Sequence, residues 1–248
     1  MQDFNIDLHT HTLSSDHAYS TIVENIHYAR EHHISMIACT DHGPDLEDGA
    51  HPWHFHNLKV VPRVCEGVAV LRGIEANIRN DGSVDVPLRA LPMLDIILAS
   101  FHPCTAPMDI ERHTLAYKKL MDDARVDVIT HPGDVRYPCC YEEMLLYAKE
   151  HHVAIEINSS SDINTRMGST QNCKEIARLA GKIGNIISLG SDAHICYYIA
   201  NFESIKEILK EGNIKEEQII NRSPKAVLDF LESRGHKRIE ELRSFFKC

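Results

Sequence analysis

"YAREHHISMIACT" (28–40) and "YAKEHHVAIEINS" (147–159) are two copies of one pattern, and they decide how the rest of the chain is read. Each begins with helical spacing, ends that helix on a histidine pair, and passes at once into a β-branched stretch. Helix followed directly by strand is half of a βαβ unit. A histidine near a helix C-terminus interacts favourably with the dipole and the last free carbonyls. The pairs His32/His33 and His151/His152 are therefore expected to be structural.

Working outward from these copies, strand-like runs fall at 5–9, 35–40, 68–76, 95–101, 126–130, 153–158 and 185–191. Between them lie helical patterns at 20–33, roughly 57–65, 110–124, 141–152 and 170–183. Further helices are expected at 202–211, 224–234 and 237–246. Strands written as continuous apolar runs and separated by helices imply a parallel sheet covered on its outer face. Seven such units favour a closed or nearly closed, TIM-like β/α barrel over an open doubly wound sheet. No GxGxxG follows the first run, and no linker or low-complexity segment breaks the chain, so 1–248 is read as one α/β domain.

The chain carries 26 Lys+Arg against 36 Asp+Glu, a formal net charge of -10. That balance argues against a broad nucleic-acid footprint or an anionic membrane surface, both of which call for basic patches. The N-terminal residues lack the basic and apolar regions of a signal peptide, and no apolar run reaches membrane-spanning length. The expected location is cytoplasmic, and the oligomeric state is left open. The eight cysteines include no CxxC and read as reduced core thiols.

The residue in excess is histidine, of which there are 17. Their positions follow the strand ends. The first run ends in Asp7, His9 and His11; the second leads into Asp41 and His42; the third carries Glu75. The fourth ends at His102, the fifth at His131, and the seventh leads into Asp192 and His194. In a β/α barrel those C-terminal ends share one rim, where active sites are built. Along a strand, residues i, i+2 and i+4 point to one face, so Asp7, His9 and His11 are expected to face the interior together. Taken singly, each piece has an ordinary explanation. Together on one rim they would be costly to bury without a partner, and imidazole with carboxylate and no thiolate suits zinc, with manganese or iron accepted.

These residues resemble the PHP family (polymerase and histidinol phosphatase domain), most closely its stand-alone YcdX-type phosphatase branch. The stretches "DLHTH", "DHAYST", "TDHGPD", "HPWHFHN", "LRGIEANI", "EINSSS", "LGSDAH" and "SPKAVLDFLESRG" carry the likeness over nearly the whole chain. The resemblance implies a distorted (β/α)7 barrel with three divalent ions at the C-terminal rim of its strands. One ion would take His9, His11, Glu75 and Asp192. A second would share Glu75 with His102 and His131, and a third would take His17, His42 and His194.

Three divalent ions against the carboxylates Glu75 and Asp192 would leave a positive pocket in an acidic chain. The implied reaction is hydrolysis of a phosphate monoester on a small substrate by a hydroxide shared between metals. A phosphodiesterase on the same cluster and a non-catalytic metal-binding partner protein are the competing readings. Asp7 is expected to orient one of the imidazoles beside it, and Asp41 either to orient His42 or to cap the next segment. Arg166 and Ser159 to Ser161 are candidate phosphate contacts, and "HPWHFH" (51–56), with Trp53, is a candidate wall or lid.

Overall fold

The computed structural model describes residues 4–123, 125–161 and 166–248. Its elements run β1 (Ile6–Thr10), α1 (Ile22–Glu31), β2 (Met36–Cys39), α2 (Pro52–Asn57), β3 (Val64–Cys65), β4 (Val68–Asn77), β5 (Ile96–Ser100), α3 (Ile110–Met121), β6 (Val128–Ile129), α4 (Tyr141–Glu150), β7 (Ala154–Asn158), α5 (Thr170–Ile183), β8 (Ile187–Gly190), α6 (Glu203–Glu211), α7 (Pro224–Ser233) and α8 (Glu240–Phe246). The sheet order is β1-β2-β4-β5-β6-β7-β8, with every pair on that path parallel. Just beyond the ends of β1 and β8 the sheet curls back on itself. There Asp192 N–H donates to His9 O at 2.8 Å and His11 N–H to Ala193 O at 2.9 Å. The result is a nearly closed (β/α) barrel with seven parallel strands.

Each expected strand is present. The expected helix at 57–65 is different: Pro52 at the first position of α2 starts a short helix earlier. The chain then turns and lays β3 antiparallel against β4. The last residue of the expected helix 110–124 lies outside the described residues.

The duplicated Tyr–His pattern has a structural cause. His32 and His151 cap α1 and α4, and their Nδ1 atoms lie 2.9 and 3.0 Å from the carbonyls of Tyr28 and Tyr147. Each ring also stacks on that tyrosine, with centroids 3.8 and 4.2 Å apart. The second histidine of each pair takes the left-handed turn out of the helix, with φ of 58° at His33 and 55° at His152.

The barrel interior has two tiers. The lower tier is apolar: Ile6, Leu8, Met36, Leu71, Leu98 and Val128 pack with Val227, Leu228 and Leu231 of α7 and Leu242 of α8. Two C-terminal helices thus plug the end of the barrel opposite the rim. The upper tier is polar and equally buried. No helix among the described residues is long and apolar enough to cross a membrane.

Candidate metal centre and active site

Strand alternation carries side chains from the apolar tier to the polar one. On β4, Leu71 lies in the lower tier, and Glu75 and Asn77 follow on the same face; on β5, Leu98 is followed by Ser100 and His102. β1 departs from this rule. Ile6 and Leu8 point into the lower tier, yet His9 and His11 meet Glu75 above it. The register with β2 shifts between Asp7 and Thr10, and an irregularity of this kind moves the following residues to the opposite face.

That shift corrects the expected place of Asp7. It does not share the face of His9 and His11, and its carboxylate touches neither ring. It accepts instead from the backbone N–H groups of His9 (3.2 Å), Ser191 (3.0 Å) and Ala200 (2.7 Å), tying β1 to the segments after β8. Burial raises its pKa to about 6. Asp41 likewise leaves the His42 ring alone. Its oxygens accept from Thr12 N–H (2.7 Å), Thr12 Oγ1 (2.8 Å) and Ser15 Oγ (2.9 Å), and His54 Nε2 lies 3.0 Å away.

Glu75 is the hub of the upper tier. Its Oε1 accepts from Ser100 Oγ at 2.8 Å and Thr130 Oγ1 at 3.1 Å, and His131 Nε2 lies 2.8 Å from it. Its Oε2 faces His42 Nδ1 at 2.8 Å, His9 Nε2 at 3.3 Å and His11 Nε2 at 3.6 Å. Around Glu75, ligand atoms close enough for a shared ion fall into three overlapping sets among the described residues: His9, His11, Glu75 and Asp192; His42, Glu75 and His102; and His11, His42 and His194. The first matches the expected grouping. The other two draw on His42 and His11 where His131 and His17 were expected. His131 still contacts Glu75, while His17 is half exposed, its ring 4.4 Å from that of His194 and its Nδ1 bonded to Asp48.

Tautomers can be read from the partners of the far ring atoms. His9 Nδ1 lies 2.7 Å from Glu156 Oε1, His102 Nδ1 2.7 Å from Asn77 Oδ1, and His194 Nδ1 2.9 Å from the Asp192 carbonyl. Each partner is an acceptor, so each Nδ1 carries a proton, which leaves Nε2 as the atom that can offer a lone pair to an ion. The Asn77 amide is itself oriented by Asp85, to which its Nδ2 donates at 2.6 Å.

The lone pairs converge. His9 Nε2 and His11 Nε2 are 3.1 Å apart. Buried His42 Nδ1, Glu75 Oε2, Asp192 Oδ1 and His194 Nε2 have no hydrogen-bond partner among the described residues, although His42 Nδ1 and Glu75 Oε2 lie within contact distance. Atoms that are close but misaligned for hydrogen bonding, in a buried cluster, have the geometry of ligands sharing a cation. The donor set fits such ions.

The local charges divide the rings. Burial opposes protonation of His9, but Glu75, Glu156 and Asp192 outweigh it and hold His9 well above its ordinary value, so that a bound ion would have to displace its Nε2 proton. Burial opposes ionisation of Glu75 and Asp192. It is outweighed by His9, His102 and His42 at Glu75 and by Arg166 and His9 at Asp192, which hold both carboxyls well below their usual range. Burial together with the charges of His194 and His42 pushes His11 well below its ordinary value, towards the neutral ring that a ligand needs. Two rim residues also take strained backbone, with φ of 31° at His131 and 56° at Asp192.

Arg166, close after the end of β7, reaches Asp192 with its guanidinium and is largely buried. Ser159 and Ser160 turn their hydroxyls to the Ser191 carbonyl at 3.5 and 2.8 Å, while buried Ser161 Oγ has no partner among the described residues. Trp53 is 76% exposed on α2, while its neighbours Phe55 and His54 anchor the helix.

The carboxylate that sequence reading missed at the cluster is Glu156, on the one strand assigned no ligand. Besides His9 it accepts from His131 N–H at 2.9 Å and Asn158 Nδ2 at 3.0 Å, so it serves two histidines of the centre. It also adds a third carboxylate, partly offset by Arg166, to a pocket expected to hold two. A signal was present: "VAIEIN" places Glu156 on the alternation that singles out Glu75 in "LRGIEA".

No family model matches the chain. A probable phosphatase of Aeromonas salmonicida is 45% identical over 240 residues, covering 96% of this chain and 98% of its own. One of Shewanella loihica is 44% identical over 240 residues, covering 96% and 97%. Among solved structures, histidinol phosphate phosphatase of Lactococcus lactis, complexed with zinc, L-histidinol and phosphate, superposes with a TM-score of 0.59 at 15% identity, covering 85% of this chain and 94% of that one. At that identity the likeness is one of fold. The full-length identity to the curated relatives goes further: this chain belongs to the family of these probable phosphatases.

Proposed function

We propose that the chain is a metal-dependent phosphoesterase of the PHP type, in its YcdX-like branch. In this reading it hydrolyses a small phosphate monoester in the cytoplasm at a centre of three divalent ions, most simply zinc. The observation that carries the reading is the convergence of unpartnered His42 Nδ1, Glu75 Oε2, Asp192 Oδ1 and His194 Nε2 in one buried tier. The names of the relatives and the zinc and phosphate of the Lactococcus enzyme support it.

His9, His11, Glu75 and Asp192 would hold one ion; Glu75, His102 and His131 a second; His17, His42 and His194 the third. When bound, such ions polarise a phosphoryl oxygen and activate water for attack near neutral pH. The protein's share is placement. Glu75 presents its two oxygens to different imidazoles, and Glu156, Asn77 and the Asp192 carbonyl keep the far ring nitrogens protonated. Arg166 is suited to hold the phosphate: its guanidinium forks towards oxyanions, and its Nε has no hydrogen-bond partner among the described residues.

The test is elemental analysis of protein purified without chelators, together with turnover of p-nitrophenyl phosphate and its bis ester. Bound divalent metal and faster monoester turnover are expected. Chelation should abolish turnover and added zinc restore it, and His9→Ala and Glu75→Ala should lose metal and activity together. Full turnover in metal-depleted Glu75→Ala protein would refute the reading, and faster diester turnover would replace the monoesterase with a phosphodiesterase.

A further inference from the structure

We propose that Ser15 is a positioning residue for His11, and that Asp41 acts on the metal centre through Ser15. The inference rests on the metal reading above. Its basis is a complete account of one hydroxyl. Among the described residues Ser15 Oγ has three hydrogen-bonding neighbours: Asp41 Oδ1 at 2.9 Å, the backbone N–H of His42 at 3.1 Å and His11 Nδ1 at 3.4 Å. A hydroxyl offers one proton and two lone pairs. The carboxylate can only accept, so Ser15 donates to Asp41. The peptide N–H can only donate, so it takes one lone pair. The remaining lone pair is all that Ser15 can offer His11, which makes His11 Nδ1 the protonated nitrogen. His11 Nε2 is then bare, 3.0 Å from Asp192 Oδ1 and 3.1 Å from His9 Nε2.

Asp41 is built for this task. It is fully buried, and its carboxylate plane is set by Thr12 N–H and Thr12 Oγ1, with His54 Nε2 at 3.0 Å on the α2 side. Cys39, Asp41 and His54 also lie close enough together to suggest another ion site. The oxygens of Asp41 are already taken by Thr12, Ser15 and the Cys39 thiol at 3.5 Å, which leaves the cluster as a support for the chain of contacts to His11.

The experiment measures zinc affinity by competition with a chromophoric chelator in wild type, Ser15→Ala, Ser15→Thr, Asp41→Asn and His11→Ala, and in Ser15→Ala combined with His11→Ala. Thermal melts accompany each. Loss of a partner that orients a metal-binding histidine costs about 10–100-fold in metal affinity, and that loss is expected for Ser15→Ala and Asp41→Asn. Ser15→Thr, which keeps the hydroxyl, should recover most of it. In the His11→Ala background, Ser15→Ala should cost nothing further, because the residue it acts through is gone. A merely structural serine would lower the melting temperature equally in both backgrounds without moving affinity. Zinc affinity of Ser15→Ala within twofold of wild type, or equal losses in the two backgrounds, would overturn the inference alone. Failure of wild type to take up any divalent ion would overturn the metal reading and this inference with it.

Discussion

Glu156→Gln tests most directly whether hydrogen-bond partners set the ligand tautomers. The substitution keeps shape and removes charge. Glu156 Oε1 receives the His9 Nδ1 proton at 2.7 Å, while Oε2 receives His131 N–H at 2.9 Å and Asn158 Nδ2 at 3.0 Å. A glutamine has one accepting atom for these two sides. If its oxygen stays with His131 and Asn158, its NH2 faces His9 Nδ1 and drives the ring to the other tautomer. His9 would then aim an N–H at His11 Nε2, 3.1 Å away. The side chain cannot swing clear, because Gly190 backs it so closely that a Cβ there would lie 2.0 Å from Oε1. A hydrogen bond to a charged group is worth about 1.5–3 kcal/mol, equivalent to roughly ten- to a hundredfold in a binding constant. Zinc affinity by chelator competition should fall by that factor, and kcat/KM for p-nitrophenyl phosphate at subsaturating zinc should fall with it. Affinity within twofold of wild type would refute the tautomer argument, since no other described acceptor faces His9 Nδ1.

Other positions give independent checks. Gly190→Ala places its Cβ against Glu156 Oε1 and 2.6 Å from His9 Cβ; a cost of about 1–3 kcal/mol in urea unfolding is expected, together with lost metal affinity. His33→Gly and His152→Gly relieve left-handed residues with φ of 58° and 55°. Each should raise stability by up to about 1 kcal/mol and leave turnover unchanged, and a destabilised protein would contradict the helix-end reading of these pairs. His236 Nε2 lies 2.8 Å from buried Asp127 Oδ2; burial lowers its pKa, but Asp127 outweighs that and holds it above 6.5. Its protonated ring therefore stabilises the fold in full below that unfolded value, and the contribution is lost as pH rises through the folded value. Urea midpoints should fall across that window in wild type and flatten in His236→Gln.

What could be read from the sequence follows from the range of each signal. Strands written as apolar runs are local, and all seven are found at their expected places. The convergence of His9, His11, Glu75 and Asp192 was legible because strand ends in a barrel share a rim whatever the loops do. Asp7 was misplaced because strict alternation hides the register shift between Asp7 and Thr10. The helix expected at 57–65 overlooked Pro52, whose fixed φ starts α2 one turn earlier. Ser15, Asn77 and Asp48 carried no signal of their own. Asn77 and Asp48 meet their histidines through tertiary contacts, Asn77 to His102 across 25 residues and Asp48 to His17 across 31. Ser15, four residues after His11, is held there by Asp41 from across the sheet.

The division of the barrel into two tiers explains how helices without a rim residue bear on the candidate site. α7 and α8 close the lower tier over Leu71 and Leu98, directly beneath Glu75 and Ser100 on the same strand faces. That plug keeps water from reaching the hub from below, so the interactions of Glu75, His9 and Asp192 act in a medium of low polarisability, where each is stronger than at a surface. The same exclusion makes every unpartnered lone pair costly. The orienting contacts of Glu156, Asn77 and Ser15 are consequently not embellishments of a site that would work without them. In a water-filled barrel an imidazole with the wrong tautomer could be rescued by solvent; above a sealed apolar floor it cannot. The tautomers of the fully buried rings are therefore fixed by the chain itself, and the apolar floor and the polar rim form one device.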